Sequence, residues 1–116
     1  MPLTVSEYTR EDGSRPYQAW FDSLAAQAAA KVATARARLE MGNMSALKWT
    51  GAIAEYRIDS GPGYRIYLGK DGPNLVILLG GGTKQRQQKD IAGAKALWRE
   101  YKSRKAALRS KNRSGE

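Results

Sequence analysis

The chain has 116 residues, enough for one domain around a single core and too few for two. It contains no cysteine and no histidine, which excludes disulfides, thiolate nucleophiles, thiolate or imidazole metal sites and imidazole acid–base chemistry. A net charge of +9, from 20 Lys and Arg against 11 Asp and Glu, points to a polyanion or an acidic protein as partner.

The opening MPLTVSEYTREDG lacks a charged start followed by an apolar run, so no signal peptide is expected. The longest apolar run, LVILL, is strand-sized against the ~20 residues a membrane span needs, and a cytoplasmic protein is expected. Leu3 to Tyr8 has strand propensity and breaks at TREDGSRP. Pro16 suits the first turn of a helix reaching about Leu24. The alanine-rich run from Ala25 to about Met41 is a strong helix former. Leu24, Ala28, Val32, Ala35 and Leu39 recur at helical spacing and mark its buried stripe, and Gly42 with Asn43 marks its end.

ALKWTG (46–51) reads as a connector, followed by three strands: Ile53 to Asp59, Tyr64 to Lys70, and Leu75 to about Gly80. The third is apolar on both faces and belongs inside a sheet. GGGTKQRQQ then reads as a loop that leaves the backbone amides of Gly80 to Gly82 uncovered. A last helix is expected from about Gln87 to Arg104, with Ile91, Ala94, Trp98 and Tyr101 as its apolar stripe. From Lys84 to Arg113 the only acids among many bases are Asp90 and Glu100. The chain divides into one domain over 1–103 and a basic, unstructured tail over 104–116. Trp20 and Trp98 fall on core stripes; Trp49, in the connector, has no assigned partner. The order strand, two helices, three strands, helix gives an α+β sandwich, an antiparallel-rich sheet with the helices packed on one face.

The hairpin EYRIDSGPGYRIY carries the first functional signal. Strand side chains alternate, so aligning the apolar sets pairs Ile58 with Tyr64, Tyr56 with Ile66 and Ala54 with Leu68. The same register sets Arg57 opposite Arg65 and Glu55 opposite Tyr67 on the other face. Two guanidinium groups ~6 Å apart at an effective dielectric of ~20 repel by about 3 kcal/mol before salt screening. Either Glu55 and Asp59 neutralise the pair as a solvated ladder, or the pair waits for an anion whose oxygens arginine forks match. Lys84 and Arg86, directly after the glycines, favour the anion. The glycines lack the spacing of a nucleotide-binding P-loop.

These motifs resemble the RelE/ParE toxin superfamily, most closely its HigB-like addiction-module killer proteins, over roughly residues 16–101. The specific parts are EYRIDSGPGYRIY and LLGGGTKQRQQKDIAGA, supported upstream by Trp20, Phe21, Leu24, Arg38, Leu39, Met41, Gly42 and Asn43. The resemblance implies a RelE-like fold and the toxin of a type II toxin–antitoxin system. The implied activity is a ribosome-dependent, metal-independent mRNA endonuclease needing no cofactor. Its implied partners are the ribosome, mRNA and a cognate helix-turn-helix antitoxin, with no membrane. Arg65 matches the family's phosphate-stabilising strand arginine, Arg57 the arginine of the preceding strand, and Lys84 the base after the last strand. These three are the expected catalytic residues, with Lys84 as clamp or proton-transfer group. Lys48, Arg86 and Lys89 are expected RNA contacts. Thr83 stands where the family has Asp, Gln85-Arg86 replaces its Ser/Thr pair, and no C-terminal Tyr or His matches its general acid. Competing expectations are a ParE-like gyrase inhibitor without chemistry of its own and a simple basic nucleic-acid-binding module.

Overall fold

The computed structural model describes residues 2–114. They form, in chain order, β1 (Thr4–Glu7), α1 (Pro16–Asp22), α2 (Ala26–Glu40), β2 (Leu47–Thr50), β3 (Ile53–Ile58), β4 (Tyr64–Asp71), β5 (Leu75–Thr83), a 3-10 turn (Lys84–Arg86) and α3 (Gln87–Ser114). The class is α+β, with one open five-stranded sheet in the order β1-β5-β4-β3-β2. β1 lies parallel to β5 and the other neighbours are antiparallel, so the sheet is mixed.

The β3–β4 register is the one the hydrophobic alternation dictates: Ile58 faces Tyr64, Tyr56 faces Ile66, Ala54 faces Leu68, and Arg57 faces Arg65. Four expectations change. ALKWTG holds a fourth strand after the helices, β2, paired with Ile53 to Tyr56 along the outer edge of β3. The helices also cover both faces of the sheet. Val32, Ala35 and Leu39 of α2 and Tyr17 of α1 pack on Ala54, Tyr56, Ile66, Leu68, Val76 and Leu78. Ala94 and Trp98 of α3 pack on the opposite face, against Ile53, Tyr67, Ile77 and Leu79. The cause lies in β4 and β5, whose two faces are both apolar; each face needs its own cover.

The expected loop over Gly80 to Gly82 is instead the end of β5, whose glycines pair with Tyr67, Ile66 and Arg65 of β4. A β-bulge beside Tyr67 and Leu68 sets this register. At Gly81 and Gly82 the missing side chains serve packing, whereas a Cβ on Gly80 would meet nothing within 4 Å. A Cβ on Gly81 would lie 2.3 Å from Trp20 Cε3, and one on Gly82 would lie 1.9 Å from Asp90 Oδ2. The Trp20 indole rests directly on the strand backbone and cannot rotate away as a carboxylate can. Gly81→Ala should therefore destabilise the fold by about 1–3 kcal/mol through overpacking. Urea denaturation checks this, and unchanged stability would show the indole to be loosely seated.

α3 runs past the expected end at Arg104 to Ser114, so the tail expected over 104–116 is helical as far as it is described; residues 115 and 116 lie outside the described residues. Two groups of contacts hold the helix to the sheet. Glu100 accepts hydrogen bonds from Tyr8 at 2.6 Å and from Arg10 at 2.9 Å. Asp71 accepts from Tyr101 at 2.5 Å and from Lys105 at 2.7 Å. Beyond them Leu108 is exposed. Among the described residues no helix is long and apolar enough to cross a membrane.

Candidate nucleic-acid interface

β3 and β4 carry Glu55, Arg57, Arg65 and Tyr67 on the face that α3 covers. Glu55 is the hub. It is 1% exposed, and it accepts a hydrogen bond from Arg57 Nε at 3.0 Å. Gln87 Nε2, from the first turn of α3, donates to both of its oxygens at 2.9 and 3.1 Å. Arg65 Nε forms an ion pair with the same carboxylate at 3.5 Å. Burial pushes the Glu55 carboxyl up, but hydrogen bonds from Arg57 and Gln87 and the charges of both arginines outweigh it and hold the group below its ordinary range.

One carboxylate therefore serves two arginines, which relieves their repulsion and leaves a positive surplus. Asp59, the other acid considered for a ladder, forms no ion pair among the described residues. The two arginines are not equivalent. The Arg57 side chain is 44% exposed and open to a ligand; that of Arg65 is 7% exposed. Arg65 Nη1 donates to the Gly63 carbonyl at 3.0 Å, which anchors its tip at the hairpin turn.

Lys84 packs at the hairpin turn that also receives Arg65. A Cβ on Gly63 would lie 3.4 Å from Lys84 Cβ and 3.5 Å from Arg65 Nη1, so both residues crowd this glycine, whose φ is +75°. The Lys84 amide donates to the Pro62 carbonyl at 3.3 Å, tying the 3-10 turn to the β3–β4 hairpin. Lys84, Arg86 and Lys89 are exposed and line one open concavity together with Gln87. None of these three bases forms an ion pair among the described residues. Gln87 joins the concavity to the buried Glu55 hub, a connection across 32 residues that no local motif announces. Thr83 precedes the 3-10 turn without a side-chain cap.

Lys48 is exposed on β2, directly across from Glu55 in register and apart from the Lys84 concavity. Trp98 is buried and Trp20 is partly buried against the core, whereas Trp49 is 51% exposed. Among the described residues no group of acidic side chains is disposed to hold a metal ion.

Beneath the site lie two polar groups that the sequence pattern did not single out. Tyr67 Oη and Asp90 Oδ2 are buried with no hydrogen-bond partner among the described residues. Burial, then the charges of Glu55 and Asp90, push the Tyr67 phenol up to about 12, so it keeps its proton at neutral pH. Burial also raises the Asp90 carboxyl, against the opposing charges of Arg86 and Lys89. A carboxyl that holds its proton to higher pH when folded loses stability as pH rises through that folded value. Asp90→Asn should thus match the parent protein in acid and exceed it in stability at pH 7. Denaturant titrations at the two pH values test the sign; a variant weaker at pH 7 would show the ionised carboxylate to be stabilising.

No protein-family model matches the chain. It is similar to an uncharacterized protein of Haemophilus influenzae, with 43% identity over 86 residues, spanning 72% of this chain and 87% of that one.

Proposed function

We infer that this chain, which belongs to the same family as the uncharacterized Haemophilus influenzae protein, is the toxin of a type II toxin–antitoxin pair, with a RelE-like fold, and cleaves mRNA on the ribosome. One observation carries the reading: Arg57 and Arg65 are held on a single buried carboxylate, and Lys84 and Arg65 both pack against Gly63 at the turn beside it. Fixed positive groups brought together with too little compensation suit a phosphodiester. The resemblance of the hairpin and of the segment after β5 to the RelE/ParE toxins supplies the reaction class.

RNA brings its own nucleophile, the 2′-hydroxyl. The protein has to hold the phosphate in line and stabilise the charge that develops on its equatorial oxygens. Arg57 and Lys84, both exposed, contact those oxygens. Arg65 sets the potential at the base of the site. Glu55 stays ionised and fixes the direction of Arg57, a positioning role. Arg86, Lys89 and Lys48 hold flanking phosphates. No metal or cofactor enters the reaction. The partners are the ribosome with its mRNA and a helix-turn-helix antitoxin, in the cytoplasm.

The test is to add the purified chain to ribosomes translating a defined mRNA and map the ends produced. Discrete cuts with 2′,3′-cyclic phosphate and 5′-hydroxyl ends are expected, as an internal nucleophile dictates. Intact mRNA at concentrations that arrest growth would overturn the reading. A second reading, a ParE-like inhibitor of gyrase, draws on the missing leaving-group acid: the chain has no histidine, and Tyr67 is buried with its phenol pushed up to about 12. Double-strand DNA breaks with intact mRNA would favour it.

A further inference from the structure

On the opposite side of the sheet, α2 and the end of β3 enclose a groove of about 510 Å3. Its helical wall carries Lys31, Thr34 and Arg38, spaced so that they share one face, with Ala30 and Ala35 beside them. Its other wall is the end of β3 from Tyr56 to Ile58, continued by Asp59 and Ser60 of the turn, with Ala46 beside it. β2 pairs only with Ile53 to Tyr56, so no strand covers the outer edge of β3 beyond Tyr56. Lys31 and Arg38 are exposed and form no ion pair among the described residues. The groove contains one acid, Asp59, against Lys31, Arg38 and Arg57.

Arg57 lines this groove at the edge of β3 while its guanidinium bonds Glu55 on the α3 side, so the groove ends at a residue of the Glu55 hub. Trp49 adds a second kind of group. It pairs with Ala54, whose side chain faces α2, and half of its surface is exposed on that side of the sheet. An exposed aromatic on the same side of the sheet as a row of unpaired cations suits a single strand of nucleic acid, whose bases stack while its phosphates track the charges. An acidic peptide would use the cations and leave the indole without a role.

We propose that this groove carries the sugar–phosphate backbone of single-stranded RNA towards Arg57, with Lys31 and Arg38 on phosphates and Trp49 under a base. The proposal rests on the RNA-cleaving reading above and extends it to a second surface. The experiment measures binding of a short single-stranded RNA, made uncleavable by 2′-O-methylation, over a range of salt concentrations, and measures cleavage separately at saturating RNA.

Combining Lys31→Ala with Arg38→Ala should weaken binding about tenfold at low salt. Two lost phosphate contacts should lower the slope of log K against log salt by about 1.4. Trp49→Ala should weaken binding by about tenfold with the slope kept, as stacking loss requires. The cleavage rate at saturating RNA should be unchanged in all of them. Parent affinity and slope in the variants, with cleavage intact, would overturn the groove and leave the reading of the Arg57 site standing. A parent chain that neither binds nor cuts RNA would overturn both. Polyglutamate that binds the parent but not the double variant, with RNA affinity equal in the two, would assign the groove to an acidic polypeptide instead.

Discussion

Glu55→Ala should lower the unfolding free energy by about 3–5 kcal/mol, the range for removing one partner of a buried ion pair. The parent group is 1% exposed, and Arg57, Arg65 and Gln87, from two strands and α3, depend on it. Without it Arg65 keeps its charge in a buried position with only the Gly63 carbonyl to satisfy it. Gln87 loses its acceptor, and the start of α3 loses a tie to the sheet. Small domains have about 5–15 kcal/mol in hand, so the variant should sit near the threshold of folding. The same carboxylate sets an acid limit for the parent. Its folded pKa is depressed, so its contribution is present above the ordinary glutamate range and is lost as pH falls through the folded value. The difference between parent and Glu55→Ala, followed by urea denaturation, should shrink on acidification; a pH-independent difference would mean that the charge is irrelevant.

Arg57→Ala and Lys84→Ala should each reduce RNA cleavage by about 10²–10³-fold, the scale for removing one preorganised donor from a developing anion. Both side chains are exposed, and Glu55 keeps Arg65 and Gln87 as partners when Arg57 is removed, so the folded protein should survive the loss of one charge-assisted hydrogen bond, worth about 1.5–3 kcal/mol. The double variant should be only slightly worse than either single one, because the groups act on one phosphate as a unit. Cleavage rates on ribosome-bound mRNA, with thermal unfolding as the control, check both statements. Full activity in Arg57→Ala would remove the phosphate-clamp assignment. Arg65→Ala is a poorer test than the motif suggests, since it empties a buried site and leaves Glu55 with one arginine.

The parts of the fold that were legible follow from periodicity. Alternation along EYRID and YRIYL fixes the β3–β4 register, and helical spacing fixes the α2 stripe of Ala28, Val32, Ala35 and Leu39. β2 escapes because it is four residues long and its middle residues, Lys48 and Trp49, are both exposed, so no alternation marks it. Helices on both faces were foreshadowed by the double-sided apolar pattern of β5, but the orientation of α3 depends on Trp98 seating on Gly69, whose Cβ would lie 2.4 Å from the ring. The glycines of β5 mislead because the same residue that loosens a loop also admits an indole or a carboxylate against a strand. In the site, the opposed arginines could be read from one hairpin. The unequal exposure of Arg57 and Arg65 could not, because it is created by α3 and by the turn at Gly63.

β1 begins the chain yet lies beside β5, near the end of it. Tyr8 and Glu100, which fasten α3, are 92 residues apart in sequence. During synthesis the amino-terminal strand must wait, unpaired, until residues 75–83 have emerged, and the long helix docks only later. Such distant pairings slow the search for the native state. The Glu55–Gln87 linkage forms in the same late stage. The buried Glu55 hub and the open concavity beside it are therefore joined only after the chain has been made as far as Gln87.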